Sequence, residues 1–193
     1  QWADGGTLDF VEHLLRDAHA GPVMLLATAR PTLEDRLPGW AARPRRRVVA
    51  LAPLAGDEAG SLADALLARL PDAPAALRRR LVEGAEGNPF FMEELLNMLI
   101  DRGVVVAGED GWRLGTQPLN ARAMPRTLAG VLQARLDALD AEAARAAQLA
   151  AVVGPVFWAE ALAALGVAGH AVVARLAQRQ FVVERGTAPG RTE

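Results

Sequence analysis

Glu86-Gly87-Asn88-Pro89 is the sharpest punctuation in this sequence, and it dictates a helix on either side of a tight joint. Gly87 can take the left-handed conformation that ends a helix. Asn88 can cap the next helix through its side-chain oxygen, and Pro89 suits the first helical position, where no backbone N–H is needed. The joint predicts one helix from about 75 to 86 and another from 89 to 102, the second stopped by Gly103. Phe90 and Phe91, two of only five phenylalanines, open an apolar face on the second helix, and at least one of them is expected in the core.

Upstream, Leu8, Val11, Leu15 and Ala18 fall on one face of a helix over 7–19, with Phe10 and Leu14 beside them. Asp4 or Thr7 can cap it, Asp4 being the better candidate. Val23 to Ala29 is a short, continuously apolar run ending in Arg30-Pro31, which predicts a strand covered on both faces. Val48 to Leu51 predicts a second strand, and the proline-rich stretch 31–44 reads as loop. A helix from about 57 to 70 begins with Asp57 and Glu58, as the helix dipole prefers.

Beyond the joint, 104–106 and 112–114 flank Gly108 to Gly111 as a β-hairpin. Leu128, Leu132, Leu136 and Leu139 mark one helix, and further helices are expected over 143–153, 157–165 and 169–178. Phe181-Val182-Val183 then starts a strand. Three or four helices followed by one strand is the order of a winged helix.

The net charge of −2 sets up no global field for nucleic acid or a membrane surface. There is no cysteine, so no disulfide frame and no thiolate metal site, and His13, His19 and His170 are too scattered for a zinc pattern. No apolar run approaches the roughly 20 residues of a membrane span. The beginning, Gln1-Trp2-Ala3-Asp4, has neither a signal peptide nor an initiator methionine, and reads as a cut inside a longer cytoplasmic protein. All 21 basic residues are arginine. A G-x-x-x-x-G-K-[ST] loop needs its lysine on the β- and γ-phosphates, so this sequence contains no such loop.

A series of segments carries a resemblance. It comprises Gln1-Trp2-Ala3-Asp4, Thr7-Leu8-Asp9-Phe10, Leu26 to Pro31, Leu51-Ala52-Pro53-Leu54, Glu86 to Leu95, Leu128 to Leu139, and Ala150 to Gly154 with Phe157. In order and spacing it resembles the AAA-type ATPase module of STAND signalling proteins. Similar modules occur in large LuxR-type transcription regulators and in bacterial adenylate or guanylate cyclases with tetratricopeptide repeats. The resemblance implies a mainly α fold with a small α/β part. Residues 1–54 would be the C-terminal part of a P-loop α/β core, 55–103 a helical lid, 104–121 a hairpin link, and 122–193 a winged-helix-like domain cut within its wing. The P-loop and Walker B segments would lie upstream, and repeat or output domains downstream.

The resemblance also implies roles. Arg30 matches a sensor-one arginine near the γ-phosphate, with Thr28 just before it at the strand end. Pro89 matches a lid proline that packs on adenine, with Asn88 beside it and Phe90 backing the surface. ATP or ADP with magnesium would bind the intact protein, which would hydrolyse or simply hold it. The fragment alone, lacking the phosphate and metal groups, would bind nucleotide weakly and be inactive. The function implied is a nucleotide-responsive switch. The alternatives are a DNA-binding winged helix and a protein–protein interaction unit with no nucleotide role.

The residues weigh these alternatives. Arg45-Arg46-Arg47 and Arg78-Arg79-Arg80 are the basic clusters, yet the candidate recognition helix 170–178 offers only Arg175, with Arg179 just beyond. Residues 122–193 hold eight arginines against six acids, a poor balance for a DNA-reading surface. Glu93 and Glu94 point in different directions on their helix, so a solvated face rather than a catalytic carboxylate pair is expected of them.

Overall fold

The computed structural model describes residues 3–16, 24–40, 42–43, 46–108, 111–118, 124–167 and 169–185. These residues are mainly helical, with one two-stranded antiparallel sheet. The chain divides into two units, Gln1–Ala52 and Pro53–Glu193.

In the first unit, α1 (Gly5–Arg16) is opened by Asp4, whose Oδ1 accepts from the Thr7 backbone N–H at 2.7 Å. The Thr7 side-chain hydroxyl, followed by this backbone N–H, holds the Asp4 carboxyl below its usual range by hydrogen bonding. The expected residues 17–19 of this helix lie outside the described residues. A short helix, α2 (Thr32–Arg36), occupies part of the stretch expected as loop; Leu33 N–H donates to Arg30 O at 2.9 Å to start it. Its acids Glu34 and Asp35 come first and Arg36 last, which suits the helix dipole.

The two expected strands are not formed among the described residues. Residues 24–30 and 46–52 are neither helix nor strand among the described residues, and their apolar side chains are exposed: Met24 88%, Leu51 91%. A strand persists only where a neighbour takes up its N–H and C=O groups, and neither stretch has a ladder partner among the described residues. No described residue of this unit is buried. Its firmest contact is polar. The Arg46 guanidinium lies 3.9 Å from the Trp40 ring centroid, bonds Trp40 O, and shares Glu12 with Arg43 at 2.5 and 2.7 Å.

The second unit opens with α3 (Gly56–Leu66), whose N-terminus is tied by Ala55 N–H donating to Glu58 Oε2 at 2.9 Å. α4 (Ala75–Ala85) buries Leu77, Leu81 and Ala85, one stripe at four-residue spacing. α5 (Pro89–Asp101) buries Phe91, Met92, Leu95, Leu96, Met98 and Leu99 and packs against both of the preceding helices. Strands β1 (Val105–Gly108) and β2 (Gly111–Leu114) form the expected hairpin, pairing Val105 with Leu114 and Ala107 with Trp112. The hairpin is fastened to the end of α3: Trp112 N–H donates to Arg69 O at 2.7 Å, and Arg69 reaches Gly108 O.

α6 (Leu128–Asp137) starts at Thr127, whose Oγ1 accepts from Gly130 N–H. It buries Val131 and Arg135, with Leu128 half-buried beside them and Leu136 exposed. α7 (Ala141–Val153), α8 (Ala159–Ala164) and α9 (Gly169–Gln178) follow as a three-helix group. The strand expected at Phe181 to Val183 is absent. Phe181 and Val182 instead pack on the apolar side of this group, so side-chain burial rather than ladder pairing places them. The buried apolar residues of the unit fall into two clusters, one spanning Ala59 to Val131 and one spanning Ala143 to Leu176.

Candidate functional site

The joint before α5 is built as its residues demand. Glu86 ends α4 in the left-handed region at φ 50°, and Gly87 follows at φ +77°. Pro53 and Leu54 lie directly against Gly87. Leu54 N–H donates to Gly87 O at 2.8 Å, and a Cβ on Gly87 would stand 2.7 Å from Leu54 O. Only glycine meets both conditions, a positive φ and a backbone neighbour at that range.

Asn88 then caps α5, its Oδ1 accepting from Phe91 N–H at 3.2 Å, while its own N–H donates to Ala85 O at 2.8 Å. Pro89 takes the first helical position. The two phenylalanines part company: Phe91 is 6% exposed and in the core, whereas Phe90 is 51% exposed. Burying the Phe91 ring contributes about 2–3 kcal/mol to holding the helix start in place. Asn88, Pro89 and Phe90 therefore form an exposed, mainly apolar step on a rigid support.

Thr28 and Arg30 belong to the other unit, and both are exposed. Arg30 stands just before α2, where its carbonyl receives the Leu33 N–H, instead of at the end of a strand. Of the five residues expected at one site, Thr28 and Arg30 lie in the first unit and Asn88, Pro89 and Phe90 in the second. Among the described residues, no group of three or more His, Cys, Asp or Glu is placed to hold a metal ion.

One cluster escaped the sequence reading. Arg135, 2% exposed, sits between α5 and α6 and donates from Nη1 to Glu94 Oε2 at 2.6 Å and from Nε to Asp101 Oδ2 at 3.0 Å. Glu94 is 6% exposed, which corrects the solvated face expected of it; only its neighbour Glu93 is exposed. Arg179 Nε bonds the other Asp101 oxygen at 2.9 Å, and Arg135 Nη2 donates to the Arg179 carbonyl. The Phe181 ring lies 4.6 Å from the Arg135 guanidinium. Two arginines against two carboxylates leave the cluster neutral, the condition for burying it. Glu94, Asn97 and Asp101, at i, i+3 and i+7 on one helix face, were the signal for it in the sequence.

Several basic residues are engaged within the chain. Arg78 makes a bidentate pair with Asp64 at 2.5 and 3.0 Å, which holds the Asp64 carboxyl low and the Arg78 guanidinium high. Arg175 on α9 bonds Glu142 and lies 3.8 Å from Asp140, and its pKa is raised chiefly by the Glu142 hydrogen bond. Comparison with protein-family models, with curated proteins and with solved structures yields no match.

Proposed function

We propose that this chain is the lid and winged-helix-like part, with a remnant of the α/β core, of a STAND-type signalling ATPase, and that it serves there as a nucleotide-responsive switch. The observation that carries the reading is the step at the start of α5. Pro89 and Phe90 present an exposed apolar surface of the kind a purine can pack on, and the αL pair Glu86-Gly87, the Asn88 cap and the buried Phe91 hold it still. The exposed apolar stretches 24–30 and 46–52 agree with strands that await neighbours supplied by an upstream core segment.

The residues present fit the base of ATP or ADP better than its phosphates. The sequence has no lysine, and Arg30 is the cation assigned to the γ-phosphate. A fixed guanidinium distinguishes ATP from ADP because it can bond the terminal phosphate with two parallel donors. When bound, the nucleotide would supply the free-energy difference between two lid arrangements; it drives a switch only if it binds them with different affinity. Phosphate and magnesium binding, and hydrolysis, belong in this reading to the intact cytoplasmic protein, with its repeat or output domains as partners.

DNA binding through α9 is the weaker reading, because Arg175 and Arg179 are both engaged by carboxylates of the same chain. The test is nucleotide titration by calorimetry. This chain alone should bind ATP no more tightly than about millimolar. In the intact protein, Pro89→Ala and Arg30→Ala should each weaken ATP binding about tenfold or more while the protein stays folded. Micromolar binding to this chain, or unchanged affinity in both intact variants, overturns the proposal.

A further inference from the structure

The two apolar clusters of the second unit meet across a charged seam, and the bonds that cross it converge on three residues just after α9. Arg179 Nε reaches Asp101 on α5, and Arg179 Nη1 reaches the carbonyl of Ala138, in the short joint between α6 and α7. The Arg179 carbonyl receives Arg135 from α6. Gln180 Oε1 accepts from Asn97 Nδ2 on α5 at 2.9 Å, and Phe181 covers the Arg135 guanidinium. Gln180 stands at φ 58°, a left-handed conformation that costs a non-glycine residue energy and marks a segment held by its surroundings.

We propose that residues 179–181 are a releasable latch. With it closed, the α7–α9 group is held on α5 and α6, as in this structure. With it open, that group swings as a unit about Ala138–Asp140. The composition of the seam argues for release. Separating two apolar faces exposes surface that water penalises, whereas separated ion-pair partners each regain hydration. Opening leaves Arg135 with Glu94 and Asp101 on one side and Arg179 on the other, and both faces are charged and wettable. The apolar residues of each cluster stay packed within their own cluster, so neither core is opened. An arrangement of two discrete packings joined by a short joint is what a switch element requires. This inference is independent of the nucleotide reading, since the latch and its test involve no ligand.

The chain has no cysteine, so spin labels can be placed at will. In an E93C/Q148C background, both positions being exposed and lying on α5 and α7, pulsed electron spin resonance should give one narrow distance distribution. Adding Arg179→Ala with Asn97→Ala cuts side-chain bonds across the seam and leaves the Arg135 pairs with Glu94 and Asp101 in place. The expected result is a second population at longer distance, with amide-exchange protection of α7 and α9 retained. An unchanged single distance overturns the latch. So does loss of protection in α7 and α9, because the seam would then hold the helices folded rather than hold them in position.

Discussion

Replacing Gly87 by alanine tests the construction of the joint before α5. Two costs separate cleanly. At φ +77° an alanine pays the left-handed penalty, about 1–2 kcal/mol. Its Cβ would also stand 2.7 Å from Leu54 O, 2.9 Å from Pro53 Cβ and 3.0 Å from Leu54 N. Two of those three atoms are backbone, so no rotamer change relieves the clash and residues 53–54 must withdraw. Withdrawal loses the Leu54 N–H to Gly87 O bond, about 1 kcal/mol, and part of the Leu54 packing, about 1 kcal/mol more. The expected total is about 3–4 kcal/mol. Gly166 supplies the control, because it stands at φ +81° with nothing within 4 Å of its Cβ position. Gly166→Ala should cost only the backbone part, about 1–2 kcal/mol. Urea unfolding of both variants reads the difference as midpoint shifts at constant slope. Equal losses in the two variants would refute the argument that the approach of Pro53-Leu54 is what demands glycine at position 87.

Arg135→Ala should destabilise the second unit by about 3–5 kcal/mol, because it leaves Glu94 and Asp101 buried without Arg135; adding Glu94→Gln should recover part of that loss in the same unfolding assay. Asn88→Ala should cost about 1 kcal/mol through the lost cap, and Asn88→Asp should be nearly silent because its carboxylate can accept the same Phe91 N–H. Asp140 caps α7 through Ala143 N–H, and that bond holds its carboxyl below the ordinary 3.8. A carboxyl depressed in the folded state contributes stability that is present above 3.8 and lost as pH falls through the folded value. Asp140→Asn, which keeps a capping oxygen but does not titrate, should therefore flatten the fall in thermal stability in that acid range; an unaltered pH profile would remove Asp140 from the explanation.

The helices around the joint were legible because local chemistry decides them. Gly87 needs a positive φ, Asn88 a donor to cap, and Pro89 a first-turn position, and each requirement is met within three residues of chain. The hairpin was legible for the same reason. The apolar runs 23–29 and 48–51 were not, because apolarity and length identify a strand only when a neighbour exists, and the neighbour is not written in the run itself. The burial of Arg135 on α6 was not legible either, because it is drawn inward by Glu94 and Asp101, more than thirty residues earlier in the chain. At the candidate site, the capping by Asn88 and the helix start at Pro89 could be read from their residues. The place of Thr28 and Arg30 rested on a strand that does not form among the described residues.

The same contrast separates the two units energetically. The second unit buries leucine, valine and alanine in quantity, with Met92, Met98 and Phe91, and burial of that kind offsets the entropy of ordering a chain. The first unit has no buried residue among those described, and Met24, Leu26, Val48, Val49 and Leu51 all face solvent. Its Arg46, Glu12 and Trp40 cluster orders a few side chains, but polar contacts near a surface do not repay the ordering of some fifty residues. Segments of this apolarity gain stability when a further surface covers them. The apolar runs that end at Thr28-Arg30 and at Leu51 are therefore the part of the chain whose final form depends most on what packs against it, whereas the joint at Gly87-Asn88-Pro89 already holds its form from within.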